Sequence, residues 1–97
     1  MDEIIKKKLA RNWFKTLQEV ICQEIEELEG KKKIFKIKNW ERGIKSNEGG
    51  GQFRILENGK IFEKVGVNFS EVYGKFPKNF KRKIPGTEKK SDFWASG

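Results

Sequence analysis

The sequence predicts an α+β fold in which a long N-terminal helix packs on an antiparallel sheet that contains a β-hairpin. Two observations predict it. Apolar residues recur at spacings of three and four over the first 29 residues, which is the period of an amphipathic helix. Farther along, two segments of alternating polar and apolar residues flank Asn58-Gly59, the pair most typical of a tight hairpin turn. A chain of 97 residues suffices for one domain, and we expect no separate domains within residues 1–97.

The helix is predicted from Asp2 to Glu29. Asp2 can cap its first turn, and Gly30 can adopt the left-handed conformation that ends a helix. Residues at helical spacing form one apolar stripe, which we expect to pack under the sheet: Ile5, Leu9, Trp13, Leu17, Val20, Ile21, Ile25 and Leu28. Cys22 borders this stripe, and we interpret it as a core thiol because no histidine is present to activate it.

The sheet is predicted to begin with a strand from Ile34 to Trp40, followed by a polar, glycine-rich loop over residues 41–51. The hairpin strands are predicted at 52–57 and 60–69. A two-residue turn would place four pairs opposite one another, two of opposite charge and two apolar, which favours the hairpin. These pairs are Glu57 with Lys60, Leu56 with Ile61, Ile55 with Phe62 and Arg54 with Glu63.

The last quarter of the chain is predicted to contain a short helix from Asn79 to Ile84 and an apolar segment, 92–97, that enters a new element. The predicted first strand and the two hairpin strands give a sheet of three strands at most, with two unpaired edges. Unpaired edges and an apolar face favour association, so we expect a homo-oligomer rather than a stable monomer.

Charge and composition exclude several classes of site. The formal charge is +8, and seven basic residues with one acidic residue lie between Lys75 and Lys90. This tract is either a solvated face or a surface for anions such as nucleic acid. The chain has no histidine and one cysteine, so we predict no disulfide, no metal site and no catalytic residue. We expect a cytoplasmic protein, since no signal peptide or membrane span is evident.

Two segments are candidate binding elements. Gly49, Gly50 and Gly51 allow the backbone to approach a ligand closely, although they are equally consistent with a flexible connector. In the second hairpin strand, Asn68 and Ser70 share a face with Gly66, which gives neutral hydrogen-bonding groups and room beside them. This face is either the floor of a cleft or a solvated strand surface.

The segment from Gly49 to Gly74, GGGQFRILENGKIFEKVGVNFSEVYG, closely resembles the N-terminal signature of the oxygen-dependent coproporphyrinogen III oxidase family. The first helix, the segment from Lys38 to Arg42 and the closing residues Phe93–Gly97 are similar to that family too. The resemblance therefore covers nearly the whole chain. Family members continue past this point, so we expect the chain to be the N-terminal segment of a single larger catalytic domain.

The resemblance implies a function and an architecture. The family decarboxylates two propionates of coproporphyrinogen III oxidatively to vinyl groups, giving protoporphyrinogen IX in haem biosynthesis. It uses molecular oxygen and no organic cofactor, and its members are homodimers built on a large antiparallel sheet with helices on both sides. The histidines and arginines of its site lie beyond the matched residues, so we expect this chain alone to be inactive. Gly49–Gly51, Asn68 and Ser70 are the positions that could serve its substrate cleft.

Two hypotheses follow for the function. The first is the N-terminal portion of this oxidase. The alternative is a small basic module that binds nucleic acid or an acidic partner, which salt-dependent affinity for random DNA would favour.

Overall fold

The computed structural model describes residues 2–76 and 92–97. One α-helix, α1 (Glu3–Leu28), precedes four strands: β1 (Lys36–Glu41), β2 (Gly49–Glu57), β3 (Lys64–Lys75) and β4 (Asp92–Ser96). A short 3₁₀ helix (Ile44–Ser46) lies between β1 and β2. The strands form one sheet in the order β1-β2-β3-β4, and every neighbouring pair is antiparallel. Because α1 packs on one side of this sheet, the predicted α+β class is confirmed.

Helix α1 begins and ends where the sequence predicts. The Asp2 carboxylate accepts a hydrogen bond from the Ile4 backbone N–H at 3.0 Å, which caps the first turn. At the other end Gly30 adopts a φ of 74°, the left-handed conformation that stops the helix. The caps therefore set the length of α1 as predicted.

The side of α1 that faces the sheet differs from the prediction. Gln18 and Cys22 are buried against the sheet, whereas much of the predicted stripe is exposed on the other side. We name the exposed residues Ile5, Leu9, Trp13 and Val20 the outer stripe. Apolar residues cover more than half of the helix circumference, so periodicity alone leaves the orientation open, and hydrogen bonds from buried polar groups on the other side decide it.

Gln18 shows how a polar side chain orients the helix. The residue is 5% exposed, and its amide donates to the backbone carbonyls of Gln52 in β2 at 2.8 Å and Val67 in β3 at 3.0 Å. A buried amide without partners would be costly, so these two bonds favour one rotation of α1 over the others.

The glycine-rich loop of the prediction is shorter in the structure. Gly49, Gly50 and Gly51 belong to β2, paired with Glu41 and Trp40 of β1 on one side and with β3 on the other. A Cβ atom on Gly50 would collide with the carbonyl oxygen of Trp40, so close strand contact explains this glycine. The loop interpretation of these three residues was wrong.

The register of the hairpin also corrects the prediction. Glu57 lies opposite Lys64, Leu56 opposite Val65 and Arg54 opposite Val67, which is a shift of four residues from the two-residue turn. Residues 58–63 instead form a wider loop, closed by a hydrogen bond from the Gly59 N–H to the Phe62 carbonyl at 2.9 Å. A shift of four residues keeps each side chain on its predicted face, because the side-chain period of a strand is two.

Glu29 gives the physical reason for the wider loop. Its carboxylate, at the end of α1, accepts hydrogen bonds from the backbone N–H groups of Lys60, Ile61 and Phe62. A side chain on Gly59 would collide with the same carboxylate. This contact joins residues 31 or more apart in sequence, so the turn preferences of Asn58-Gly59 alone could not predict it.

The final segment adds a fourth strand. Strand β4 pairs with β3 through Val72 with Ala95 and Gly74 with Phe93, so the predicted limit of three strands was wrong. The core lies between α1 and the centre of the sheet, around Cys22, Phe35 and Leu56.

Two predictions lie outside the described residues: the short helix from Asn79 to Ile84 and most of the basic tract between Lys75 and Lys90. Among the described residues, α1 is not apolar enough to cross a membrane.

Candidate functional site

The face of the sheet that points away from α1, here the distal face, carries a cluster around Trp40. Trp40 in β1 lies directly opposite Gly51 in β2, and Gly51 lies opposite Ser70 in β3. The Trp40 indole Nε1 donates a hydrogen bond to the Asn68 Oδ1 at 2.9 Å. The bond fixes the amide of Asn68 with its oxygen toward the ring, which leaves the NH₂ group as its donor.

Glycines let aromatic rings lie flat on this face. A Cβ atom on Gly51 would lie 2.7 Å from Cζ2 of Trp40, and one on Gly66 would lie 2.9 Å from the ring of Phe53. Real Cβ atoms do not approach other atoms so closely, so each ring occupies the space that a side chain would need. Trp40 over Gly51 and Phe53 over Gly66 therefore form a flat apolar floor around Asn68.

Ser70 lies at the side of the distal face where β4 joins. Its backbone N–H donates to the carbonyl of Gly97 at 2.8 Å, and its carbonyl accepts from the Ser96 hydroxyl at 2.7 Å. These bonds hold the Ser70 backbone firmly in the sheet. Ser70 and Asn68 are thus brought to the same face, as the alternation of β3 predicts.

A second concave surface lies on the opposite side of the sheet, beneath α1. This helix-side cleft has a volume of about 460 Å³ and is lined by Gly49–Gly51 together with Arg11, Lys15, Asn39 and Arg54. By the alternation of β2, Gly49 and Gly51 lie on the face of Asn68 and Ser70, whereas Gly50 lies on the helix side. Because they carry no side chains, all three glycines nevertheless border the helix-side cleft, which Asn68 and Ser70 do not line.

The cations of the helix-side cleft already have partners within the chain. Arg54 Nη1 lies 2.8 Å from Glu19 Oε2, and Arg11 Nη1 lies 3.5 Å from Glu71 Oε1. The Lys15 ammonium lies 5.6 Å from the centroid of the Phe69 ring, within cation–π distance. These contacts tie α1 to the sheet, and acidic partners neutralise Arg54 and Arg11, although the Arg11 Nε is buried without a hydrogen-bond partner among the described residues.

Cys22 behaves as a core residue, as predicted. The thiol is buried between α1 and the sheet. Burial raises the pKa of the Cys22 thiol above its ordinary value, and the nearby Arg54 guanidinium only partly offsets this. A thiol with a raised pKa is a poor nucleophile, which confirms that Cys22 supports the fold.

Sequence reasoning missed Trp40 and Phe53 as members of the distal-face cluster. A signal for them was present: glycine at positions 51 and 66 within otherwise regular strands marks places where another group approaches the backbone. Only the register identifies that group, because it places Trp40 opposite Gly51 and Phe53 diagonal to Gly66.

Comparison with known proteins gives a consistent result. The sequence profile described as coproporphyrinogen III oxidase matches residues 9–97. The chain is 39% identical to the oxygen-dependent coproporphyrinogen-III oxidase of Rickettsia felis, over 98% of this chain and 36% of the relative. It is 38% identical to the protein of the same name from Rickettsia akari, over the same shares of the two chains.

The protein of that name from Rickettsia bellii is 37% identical, over 94% of this chain and 34% of its own length. The chain thus spans about a third of the length of the curated relatives it matches. No solved structure is significantly similar to it.

Proposed function

Because the chain belongs to the coproporphyrinogen III oxidase family, we propose that it forms part of an oxygen-dependent coproporphyrinogen III oxidase. That reaction removes two propionate carboxyl groups of coproporphyrinogen III and leaves vinyl groups, giving protoporphyrinogen IX. The observation that carries the proposal is the match to relatives of that name along almost the whole chain. It favours this function over a small basic binding module.

In this proposal molecular oxygen is the co-substrate and no organic cofactor takes part. The contribution of residues 1–97 is to bind and orient the macrocycle. The chain has no histidine, so it lacks the side chain that most often moves protons near neutral pH. A binding role suits the neutral, aromatic character of the distal face.

The distal face is the surface we propose for the substrate. Coproporphyrinogen III combines a broad apolar ring system with four carboxylates at its rim. The flat floor of Trp40 and Phe53 suits the ring system, while Asn68 supplies a hydrogen-bond donor beside it. Lys36 and Lys38 share this face through their register with β2 and are exposed, so they can meet carboxylates at the rim.

The helix-side cleft supports the proposal less well. Its two arginines already contact Glu19 and Glu71, so a substrate carboxylate would have to displace an existing ion pair. Gln18, at its base, uses its amide protons to join β2 and β3. On these grounds we assign Gly51, Asn68 and Ser70 to substrate binding, and Gly49 and Gly50 to strand pairing beside them.

Two asparagines, one on each side of the sheet, provide a matched test. Asn68 lies on the distal face, and Asn39 lines the helix-side cleft. Coproporphyrinogen III added without oxygen should quench tryptophan fluorescence of the chain, since Trp40 lies in the proposed site. Asn68→Leu should weaken binding about tenfold, the usual effect of losing one buried hydrogen bond.

Asn39→Leu makes the same chemical change on the other side and should leave the affinity unchanged. Equal weakening by both variants would contradict the assignment of the distal face. If only Asn39→Leu weakened substrate binding, the substrate site would lie in the helix-side cleft.

The proposal includes an assembly and a location. We propose a homodimer in the cytoplasm, as the resemblance to the family implies. The single thiol, which is buried and cannot form an internal disulfide, is compatible with a reducing compartment. Size-exclusion chromatography of the cell extract, followed by detection of the chain, tests the assembly.

A further inference from the structure

Arg42, the residue after β1, differs from the other arginines in how its charge is matched. Three arginines lie within the described residues. Arg54 forms an ion pair with Glu19 at 2.8 Å, and Arg11 forms one with Glu71 at 3.5 Å. Within the same part of the chain, Arg42 has no acidic side chain at ion-pair distance, although it is half-buried. A half-buried guanidinium without a counter-charge is a candidate binding group for an anion.

The backbone of Arg42 is held at both of its polar groups. Its N–H donates to the Gly49 carbonyl at 2.9 Å, and its carbonyl accepts from the Glu48 N–H at 3.2 Å. The next residue, Gly43, has a φ of 81°, so the chain turns away from the strand there. The alternation of β1 places Arg42 on the same side as Trp40, which is the distal face. The side chain of Arg42 therefore starts from a fixed point at the end of that face.

The guanidinium of Arg42 extends across the end of the sheet to β4. Its Nη1 donates to the Tyr73 carbonyl at 3.2 Å, and its Cζ lies 5.4 Å from the centroid of the Phe93 ring. Phe93 lies opposite Gly74, where an added Cβ atom would lie 3.1 Å from the same ring. Phe93 thus occupies the space beside a glycine, as Trp40 does at Gly51, and it extends the apolar floor of the distal face toward Arg42.

These contacts orient the guanidinium without neutralising it. A backbone carbonyl and an aromatic ring are uncharged partners, so the positive charge of Arg42 is not cancelled by them. The bond to Tyr73 uses one of the five N–H donors of the guanidinium. The planar fork of arginine binds a carboxylate through two parallel hydrogen bonds, and less entropy is lost when the fork is already oriented. Arg42 therefore has the geometry and the charge of a carboxylate-binding residue.

We propose that Arg42 binds a carboxylate at the rim of the macrocycle that lies on the distal face. This role rests on the proposed function, because it takes the ring system to lie over Trp40 and Phe53. Along an extended strand, the Cα of Arg42 lies about 7 Å from that of Trp40 and about 13 Å from that of Lys38. Arg42 and Lys38 therefore flank the floor on opposite sides, which suits a ring system with several carboxylates around its rim.

Binding of coproporphyrinogen III without oxygen, followed by tryptophan fluorescence, measures the contribution of Arg42. Arg42→Ala should weaken binding at least about tenfold, because a charge-assisted contact to the carboxylate is lost. Arg42→Lys keeps the charge but not the planar fork, so it should recover part of this affinity. Lys45→Ala is the matched control, since it removes one positive charge from an exposed position in the adjacent loop and should leave the affinity unchanged.

The tetramethyl ester of coproporphyrinogen III separates a binding role of Arg42 from a structural one. The ester keeps the ring system but carries no carboxylate charge. The unchanged chain and Arg42→Ala should therefore bind the ester with equal affinity, while they differ for the free acid. A variant that bound less well only because the end of the sheet had moved would lose affinity for both ligands alike. Thermal unfolding of each variant shows whether the fold is retained.

Three results would overturn the role of Arg42. The first is an affinity of Arg42→Ala for the free acid equal to that of the unchanged chain, and the second is equal weakening toward acid and ester. In both cases the chain still binds the substrate, so the proposed function would stand. The third is a lack of binding by the unchanged chain, which would contradict the proposed substrate surface as well. Binding that depends on Arg42 but not on Asn68 would support Arg42 and contradict only the role assigned to Asn68.

Discussion

At the scale of single residues, contacts between neighbouring strands explain why glycine occupies position 51 on the distal face. A Cβ atom on Gly51 would collide with the carbonyl oxygen of Phe69 and approach the Trp40 ring. We expect Gly51→Val to destabilise the fold by about 1–3 kcal/mol, the usual range for overpacking. Gly97→Val is the control, because no atom lies within 4 Å of a Cβ built there. Urea denaturation measures both variants, and equal stability would refute the close packing of Trp40.

The charge of Glu29 supports the fold through three hydrogen bonds from backbone N–H groups. Burial acts to raise the pKa of this carboxyl, but hydrogen bonds from the backbone N–H groups of Ile61, Phe62 and Lys60, together with the charge of Lys33, outweigh it and hold the pKa below the ordinary value. The folded state therefore binds this proton less readily than the unfolded chain. Its contribution to stability is full above the ordinary glutamate pKa of about 4.3 and declines as the pH falls below it.

Glu29→Gln tests this pH dependence. The variant should be less stable than the unchanged chain at neutral pH, and the difference should shrink as the pH falls below the ordinary glutamate value. Glu27→Gln is the matched control, because the Glu27 side chain is exposed and, among the described residues, its carboxylate forms one ion pair, with Lys31 at 3.4 Å. Thermal unfolding at a series of pH values measures the difference. A constant gap across the acidic range would show that the ionised carboxylate does not hold the 58–63 loop.

At the scale of secondary-structure elements, sequence patterns predicted which helices and strands form better than they predicted how these elements pair. The caps at Asp2 and Gly30 predicted the bounds of α1, and alternation predicted which side of β3 carries Asn68 and Ser70. The register of β2 with β3 was not predictable locally, because the Glu29 carboxylate that holds the loop is remote in sequence. The side of α1 that faces the sheet depends likewise on a contact remote in sequence, because the hydrogen-bond partners of Gln18 lie in β2 and β3.

The hairpin register has a direct spectroscopic test. Nuclear Overhauser effects should join the backbone protons of Leu56 with those of Val65, and Arg54 with Val67, as the paired strands require. A two-residue turn at Asn58-Gly59 would instead join Leu56 with Ile61. Observation of the second set without the first would contradict the wider loop and the role assigned to Glu29.

The candidate site was predictable in part, because alternation along one strand is visible in the sequence whereas packing between elements is not. The pattern of β3 predicted correctly that Asn68 and Ser70 share a face, and the register places Gly51 on that face as well. The pattern did not show that the three glycines border the helix-side cleft, because that cleft forms only where Arg11, Lys15 and Gln18 of α1 pack on the sheet. Trp40 and Phe53 joined the cluster only through that pairing.

At the scale of the whole molecule, the chain provides a sheet and the face that we propose for substrate binding, but few groups for catalysis. It contains no histidine, and its one thiol is buried with a raised pKa. We expect the purified 97-residue chain to form no protoporphyrinogen IX from coproporphyrinogen III in air. Chromatography of the oxidised porphyrins measures the product, with heat-denatured chain as the control. Product above that control would show that these residues suffice for catalysis.

A chimera tests the central claim most directly. The 97 residues replace the matching region of the Rickettsia felis relative, with which they share 39% identity. If this chain supplies the substrate-binding face of such an oxidase, the chimera should convert coproporphyrinogen III to protoporphyrinogen IX, and Asn68→Leu within it should reduce that conversion while Asn39→Leu should not. A chimera that folds with the melting behaviour of the parent enzyme yet forms no product would contradict the proposed function.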